Sequence, residues 1–493
     1  VYKRQVFIAF VSNQRLEVSL ENVVFKLRFK LLFHEKLVGM SLHFQLVAFG
    51  KLYRMEKRVF HALAFKSNAH VGNYVLEGRA RQHRFSFARN FRHRIRALHQ
   101  FLYSLFFECG NFHNGHAYQI AHVRKNLHAD YIVVATSGDY VQRGEPALLD
   151  KYTRARMALS SGADVVLELP VLWSTASAEL FADAGISLFE KTGCVNGICF
   201  GAESGDLALL RRIADVLADE PADLKASLKH NLKSGSTFPK AREAALLSYF
   251  SGSAGQDGAL PVSAETLSSL LASPNNILAL EYLKSLRRRA SSITPYLLKR
   301  EGAAYHETSI RSGASEVPAS ASAIRHTLFA DAAGACGNSA DGILHHAMPQ
   351  EALSILQDYR ADFPLLCADD FSSILGYLLL SSSASQLART ADSSPEFANR
   401  MRNQLPYYTS FSSFASRLKS KEMTLTRINR ILLHSILGIP SSEYPCGNAL
   451  DKIPYLRILG FRKSSAPLLA ALKASAAVPL ITCLLYTSDA ADD

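Results

Sequence analysis

Short apolar runs alternate with helix-like stretches over residues 116–219, and this alternation limits the fold more than any other feature. The runs at 131–135, 164–170 and 197–200 are rich in β-branched and other apolar residues, which is typical of strands buried on both faces. Helix-length stretches separate them, so each strand–helix–strand unit predicts a right-handed crossover. The sequence therefore predicts an α/β fold with a Rossmann-like doubly wound parallel sheet. The predicted helices span 116–127, 150–160, 177–191 and 206–219.

Two histidines precede the first of these helices, in the segment Phe112-His113-Asn114-Gly115-His116. The N-terminus of a helix carries unpaired N–H groups and a partial positive charge, so it favours anions. If His116 lies in the first turn, both imidazoles can point at a ligand held there, and Gly115 lets the backbone come close to it. The pattern fits a nucleotide whose α-phosphate the histidines stabilise. Two surface histidines in a turn would give the same pattern, so the motif alone leaves both interpretations open.

Polar residues follow the predicted strands at the points where the strands end. Gly138 and Asp139 follow the first run, and Gly201 and Glu203 follow the third. Ligands of open α/β sheets bind at the carboxyl ends of the strands. Because the two histidines also fall at such an end, this convergence favours a nucleotide site.

The net charge of +12 is concentrated near the N-terminus. Residues 1–107 hold 19 of the 55 Lys and Arg residues but 5 of the 43 Asp and Glu residues. This segment has no Asp, Pro or Thr and contains 15 of the 28 Phe residues. Because a folded domain of this size normally needs Asp and Pro in its turns, we expect a non-native or out-of-frame extension; the alternative is a basic RNA-binding arm with aromatic residues for stacking. Residues 1–5 and 483–493 resemble translated adapter sequence, so 483–493 is predicted to be a foreign tail.

The remaining composition is typical of a globular intracellular protein. The seven cysteines are scattered without a C-x-x-C pair, which predicts reduced thiols and a cytoplasmic location. No apolar run is long enough to span a membrane, so no membrane partner is expected. The pattern is helical from about residue 348 through 437, and a short α/β-like piece follows at 455–481.

An ordered series of motifs resembles the tRNA(Met) cytidine acetate ligase family, within the nucleotidylyltransferase superfamily of H-x-G-H enzymes. The series begins with Phe-His-Asn-Gly-His at 112–116 and continues with Ser-Gly-Asp-Tyr-Val-Gln-Arg-Gly-Glu-Pro-Ala at 137–147. The later motifs are Asp-Lys-Tyr-Thr-Arg-Ala at 150–155, Glu-Leu-Pro at 168–170, Phe-Gly-Ala-Glu at 200–203, Pro-Asn-Asn-Ile-Leu at 274–278 and Ser-Ala-Ile-Arg at 322–325. The resemblance covers roughly residues 108–482.

The resemblance implies a two-step reaction. ATP would activate acetate as acetyl-adenylate with release of pyrophosphate, and the acetyl group would pass to N4 of the wobble cytidine of elongator tRNA(Met). It implies catalytic roles for His113 and His116. The implied ATP-binding residues are Phe112, His113, Asn114, Gly115, His116, Gly201, Asn275, Asn276, Arg300, Ser320, Ser322 and Arg325, and the implied tRNA-binding residues are Arg143, Lys151 and Arg154. Triphosphate chemistry also predicts Mg²⁺, although the sequence shows no dedicated metal cage.

The family pattern implies an ATP-binding domain at 108–330 and a mainly helical, tRNA-binding domain at 331–482. One departure lies before the histidines, where Gly110-Asn111 replaces the family's Asn-Pro. The strand expected there is replaced by 102–107, which could pair in the sheet or belong to the foreign extension. Two other functions remain open: a small-molecule adenylyltransferase of the same superfamily and a non-catalytic RNA-binding relative. The oligomeric state is left open.

Overall fold

The computed structural model describes residues 102–107, 112–252, 263–300, 321–332, 344–444 and 453–482. The predictions for the rest of 1–107, for Ser320 and for 483–493 lie outside these described residues. The strands are β1 Leu102–Phe107, β2 Tyr131–Ser137, β3 Tyr140–Val141, β4 Glu145–Pro146, β5 Val165–Leu169, β6 Gly197–Ala202, β7 Thr294–Lys299, β8 Leu456–Phe461 and β9 Leu480–Ile481. The first helices are α1 Asn114–Lys125, α2 Lys151–Ser160, α3 Val171–Ser174, α4 Ala178–Thr192, α5 Leu207–Asp219, α6 Ala222–Lys233, α7 Phe238–Gly252, α8 Ala264–Ala272 and α9 Pro274–Arg288. They are followed by α10 Ala321–Ala332, α11 Gln350–Asp362, α12 Ser372–Ser381, α13 Ala384–Leu387, α14 Pro395–Gln404, α15 Phe411–Leu418, α16 Leu425–Ile436 and α17 Ala466–Ser475.

The central sheet has the strand order β7-β6-β1-β2-β5-β8-β9. Strands β1, β2, β5, β6 and β7 are parallel to their neighbours, and β8 pairs with β5 in the antiparallel direction. The chain moves from β1 outward to β2 and β5 and then returns to place β6 on the other side of β1. This reversal creates a switch point between β1 and β6, where open α/β sheets bind ligands. The predicted parallel α/β fold is confirmed.

Strand β1 is the middle one of the five parallel strands β7-β6-β1-β2-β5 and lies between β6 and β2. It pairs with β2 from Leu102↔Tyr131 to Phe107↔Thr136, and with β6 from Tyr103↔Gly197 to Leu105↔Cys199. The buried hydroxyl of Ser104 donates a hydrogen bond to the carbonyl of Gly197 at 3.1 Å. This strand lies before the predicted domain start at residue 108, and a parallel sheet with β2 and β6 on opposite sides needs a strand between them.

The two faces of the sheet pack against different hydrophobic clusters. Val133, Val165 and Ile198 face a cluster with α4, α5 and α9, whereas Ile132, Val134 and Val166 face a cluster with α1, α2, α10 and α11. Neighbouring residues of one strand point to opposite faces, so a strand buried on both sides is apolar at every position. This explains the continuous apolar runs in the sequence.

A third cluster forms the core of residues 368–436, which we call the helical module. Its buried residues include Leu375, Phe397, Phe414, Ile428 and Ile431, and they come from α12, α14, α15 and α16. These helices pack on one another without a strand from the central sheet. The predicted helical region is thus present, but it is shorter than 331–482.

Segments near both predicted ends of the helical region pack on the central sheet or extend it. Helix α11 buries Ala352, Leu353 and Leu356 in the cluster on one face of the sheet. At the other end, β8 and β9 extend the sheet beside β5, and α17 packs on its opposite face. The chain therefore leaves the sheet to build the helical module and then returns to it. Within the described residues, no helix is both long and apolar enough to cross a membrane.

Candidate active site

Helix α1 begins with a cap made by the two histidines. His113 occupies the N-cap position with extended backbone angles, and its Nδ1 accepts a hydrogen bond from the Gly115 N–H at 3.1 Å. The Nδ1 atom of His116 accepts from the His113 N–H at 3.4 Å. Each side chain thus satisfies one of the N–H groups that a helix start leaves without a partner. The predicted position of His116 in the first turn is confirmed.

The same hydrogen bonds fix the tautomer of both rings. A neutral imidazole carries one N–H, and Nδ1 is an acceptor in both residues, so the proton lies on Nε2. The two rings stack with their centroids 3.9 Å apart and an interplanar angle of 23°. His113 is 3% exposed and His116 is 8% exposed. The pair therefore offers two Nε2–H donors from a rigid, buried position.

Burial and a nearby cation keep both histidines neutral. Burial, with the positive charge of Arg300, lowers the pKa of His113 to about 3. Burial, followed by His113 and Arg300, lowers the pKa of His116 well below its usual value. The Phe112 ring lies 5.4 Å from the His116 ring and contributes to the burial. Surface histidines in a turn are excluded by this geometry.

Arg300 brings a positive charge to the switch point of the sheet. Its N–H donates to the carbonyl of Ala202 at 2.8 Å, which places it where β6 and β7 end. Its side chain runs beside Gly201, where a Cβ would lie 3.2 Å from the Arg300 Cγ. The structure therefore brings the two histidines, Gly201 and Arg300 together at the switch point between β1 and β6. The side chain of Arg300 thus lies against Gly201, and the resemblance implies that both residues bind ATP.

A segment outside the sequence motifs holds the start of α1. The Asn114 N–H donates to the carbonyl of Ala347 at 3.0 Å, and the Asn114 Nδ2 donates to the carbonyl of His346 at 2.9 Å. On the other side of the helix, the Gln119 Nε2 donates to the carbonyl of Cys199 on β6 at 2.9 Å. Sequence reasoning missed 344–348, because no local signal links these residues to a helix 230 residues earlier.

Asn275 and Asn276 lie in the first turn of α9 and contact Glu203. The Asn275 Nδ2 and the Asn276 N–H donate to the two carboxylate oxygens of Glu203, at 2.6 and 3.0 Å. The Asn276 Oδ1 accepts from the Ser204 N–H at 2.8 Å. Glu203 therefore caps α9, whereas the helix that follows it in sequence is capped by Asp206. This ties both asparagines to the end of β6, beside Gly201.

The structure contradicts a direct tRNA contact by Arg154. This residue is 4% exposed, and its guanidinium donates to Leu149 O, Thr136 Oγ1, Ser137 O and Gly138 O. A side chain buried with its donors on the protein is not available to RNA. Arg154 instead fixes the loop that follows β2.

Lys151 and Arg143 lie near the same edge of the sheet. Lys151 Nζ lies 3.0 Å from Glu168 Oε1 and 3.5 Å from Asp139 Oδ2. Burial alone would lower the pKa of Lys151, but the hydrogen bond and charge of Glu168 and the charge of Asp139 raise it. Arg143 is partly exposed in the loop between β3 and β4. A buried carboxylate needs partners, so Glu168 within an apolar strand was a signal for this cluster.

Arg325 contacts strand β4. Its guanidinium lies 3.4 Å from Glu145 and donates to the carbonyls of Pro146 and Leu366, at 3.1 and 3.4 Å. Ser322 lies in the first turn of α10, and its side chain and all of Ser320 lie outside the described residues. The described contacts therefore place Arg325 beside β4 and do not join it to the histidine pair. Among the described residues, no group of three or more His, Cys, Asp or Glu side chains could hold a metal ion.

Comparison with known proteins gives the class. The family described as HIGH Nucleotidyl Transferase matches residues 104–491. The chain belongs to this family, whose match begins inside β1 and takes in both the histidine pair and the returning strands β8 and β9.

Individual proteins that are similar to this chain identify the narrower family within this class. The tRNA(Met) cytidine acetate ligase of Acetivibrio thermocellus is 34% identical over 378 residues, covering 76% of this chain and 86% of that protein. The ligase of the same name from Caldanaerobacter subterraneus subsp. tengcongensis is 36% identical over 371 residues, covering 75% and 85%. Within the class, the chain belongs to the tRNA(Met) cytidine acetate ligase family of ATP-dependent enzymes.

Solved structures agree with this assignment. Apo TmcAL of Thermotoga maritima has a TM-score of 0.71 and 29% sequence identity, covering 79% of this chain and 89% of that one. A second crystal form of TmcAL, bound with alpha-thio ATP, has a TM-score of 0.69 and 27% identity, covering 80% and 88%.

Proposed function

We propose that the chain uses ATP to activate acetate as acetyl-adenylate and transfers the acetyl group to N4 of the wobble cytidine of elongator tRNA(Met). The names of the similar ligases support the substrates, and the alpha-thio ATP complex of a structural relative supports the nucleotide. The observation that carries the proposal is the stacked pair His113 and His116, whose Nε2–H donors lie at the N-terminus of α1.

In the first step, an acetate oxygen attacks the α-phosphorus of ATP. A bond forms between these atoms, and the bond from the α-phosphorus to the bridging oxygen breaks, so pyrophosphate leaves with the electron pair. Negative charge builds on the α-phosphate oxygens in the transition state. The two Nε2–H donors, the helix N-terminus and Arg300 all favour that charge, and the rigid cap means that they need little reorganisation.

In the second step, N4 of the cytidine attacks the acetyl carbonyl carbon, AMP leaves, and N4 loses a proton. A mixed anhydride is reactive enough that no covalent enzyme intermediate is needed. The partly exposed Arg143 and the neighbouring Lys151 are proposed to contact the tRNA near this edge. We further propose that Mg²⁺ enters with the ATP phosphates, since the described residues offer no protein cage for it.

The test is pyrophosphate release by the full chain with ATP, in the presence or absence of acetate and elongator tRNA(Met). We expect acetate-dependent release, and acetylated cytidine only when tRNA is present. His116→Ala removes one of the two donors and should lower the rate by 100-fold or more, since loss of one transition-state donor costs roughly that much. His122→Ala, on the same helix but away from the cap, is the control. Release that needs a different acceptor would indicate a small-molecule adenylyltransferase, and unchanged release by His116→Ala would refute the catalytic assignment.

A further inference from the structure

The basic residues of the helical module fall into two groups. Arg427 and Arg430 are paired with Asp392, at 3.1 and 3.3 Å. A second group, made of Arg400, Arg417, Lys419 and Lys421, forms no ion pair with the part of the chain that the structure describes. Glu422 is the one acidic residue between positions 400 and 422. The second group is therefore a local excess of positive charge without internal compensation.

One of these cations lies over an exposed aromatic ring, and a backbone hydrogen bond joins two others. The Arg417 guanidinium lies 4.8 Å from the centroid of the Tyr407 ring, and Tyr407 is 56% exposed. The Arg400 Nη2 donates to the carbonyl of Lys419 at 3.3 Å, which joins α14 to the residue that follows α15. Arg417 lies in the last turn of α15, and Lys419 and Lys421 follow the helix. We call Arg400, Tyr407, Arg417, Lys419 and Lys421 the basic patch.

We propose that the basic patch binds the sugar–phosphate backbone of the substrate tRNA, with an unpaired base stacking on Tyr407 or on the Arg417 plane. Cations without carboxylate partners release counterions when they meet phosphates, which gives affinity that is independent of sequence. Exposed aromatic rings and guanidinium planes add stacking for bases outside a helix. This inference rests on the proposed function, because only an RNA substrate needs such a surface away from the ATP site.

Another basic surface lies on α6, where Lys225, Lys229 and Lys233 are exposed at helical spacing. Lys225 is paired with Glu220 at 3.3 Å. Within the described residues, none of these lysines lies over an aromatic ring. The basic patch differs because its arginines are held by a ring contact and a backbone hydrogen bond. Groups held in place lose less conformational freedom on binding, and arginine matches phosphate geometry better than lysine. The basic patch is therefore the better RNA surface.

The experiment compares two triple variants of the full chain that remove equal charge. One combines Arg417→Ala, Lys419→Ala and Lys421→Ala, and the other combines Lys225→Ala, Lys229→Ala and Lys233→Ala. The dissociation constant for elongator tRNA(Met) is measured at several salt concentrations, beside single-turnover pyrophosphate release with ATP and acetate but without tRNA. For the patch variant we expect a tenfold or larger rise in Kd and a loss of up to about three from the slope of log Kd against log salt. The α6 variant should bind like the parent.

Pyrophosphate release separates the two proposals. Both variants should release pyrophosphate like the parent, because neither surface touches the histidine pair; failure of the parent to do so would refute the proposed function and not the patch. The proposed role of the basic patch would be overturned if the patch variant bound tRNA like the parent. It would also be overturned if only the α6 variant lost tRNA affinity. Tyr407→Leu should weaken binding and Tyr407→Phe should restore it, since stacking needs a ring but not a hydroxyl.

Discussion

Gly144 lies directly against the backbone of Arg430, so close that a Cβ at residue 144 would sit 2.3 Å from the Arg430 nitrogen. Gly144 also has a φ of +76°, a conformation that side chains rarely adopt. The loop between β3 and β4 therefore meets α16 through a residue that has no side chain. This contact joins the edge of the candidate active site to the helical module.

Replacement of Gly144 by Ala should destabilise the protein by roughly 3 kcal/mol or more, because backbone strain adds to a clash with backbone atoms that have little room to move. The control is Gly235→Ala. Gly235 has a φ of +86° but nothing within 4 Å of the Cβ position. The Gly235→Ala variant should therefore lose only roughly 1 kcal/mol of stability, which comes from backbone strain alone. Denaturant unfolding of both variants gives the difference. Equal losses of unfolding free energy in the two variants would show that the close contact with Arg430 adds nothing to the cost of the substitution at residue 144.

Acid should destabilise the fold through the histidine pair. The pKa of folded His113 is about 3, whereas an unfolded histidine titrates near 6.5. Between these values the unfolded chain binds more protons, so stability falls as the pH drops from 6.5 towards 3. One fully affected histidine contributes a slope of about 1.4 kcal/mol per pH unit. His113→Gln should flatten the curve of unfolding free energy against pH in this window; an unchanged slope would contradict the buried neutral state.

Removal of the Glu203 carboxylate should weaken both α9 and ATP binding. Glu203→Ala leaves the Asn276 N–H and the Asn275 amide without their acceptors, which should cost roughly 1–2 kcal/mol of stability. Because the two asparagines are proposed to bind ATP, the KM for ATP should also rise. Asp206→Ala removes the cap of the neighbouring α5 at a similar cost in stability and serves as the control. If both variants keep the parental KM for ATP, Glu203 does not support ATP binding.

Arg154→Lys should cost stability and not RNA affinity. Lysine cannot reach the four acceptors that the buried guanidinium serves, so a loss of roughly 2–4 kcal/mol is expected. Arg156→Lys, two residues further along α2 and exposed, should change stability little. Thermal melts and tRNA binding of the two variants are compared. Weaker tRNA binding by a fully folded Arg154→Lys protein would restore the RNA contact that the structure contradicts.

Much of the fold and the centre of the site could be predicted from local patterns. The apolar runs of β2, β5 and β6 reflect burial on both faces of a sheet, and that is a property of consecutive residues. The histidine pair and Gly115 act within one helical turn, so their spacing alone indicates a cap open to an anion. Arg300 follows β7, and the parallel order of strands brings it to the same edge.

Other features depend on contacts between distant parts of the chain. The pairing of Glu203 with Asn275, the fit of Gly144 against Arg430 and the return of β8 beside β5 join residues far apart in sequence. The burial of Arg154 is a further case, because an arginine on a helix is equally compatible with solvent, RNA or the protein interior.

The sequence by itself determined the α/β class, the position of the helix start that carries the two histidines and the family, because each depends on residue types at short, fixed spacing. Tertiary structure alone decided that 102–107 lies between β6 and β2, that β8 and β9 extend the sheet and that Arg154 is buried. The reason is that pairing and burial depend on the free energy of long-range contacts, which a local pattern does not specify.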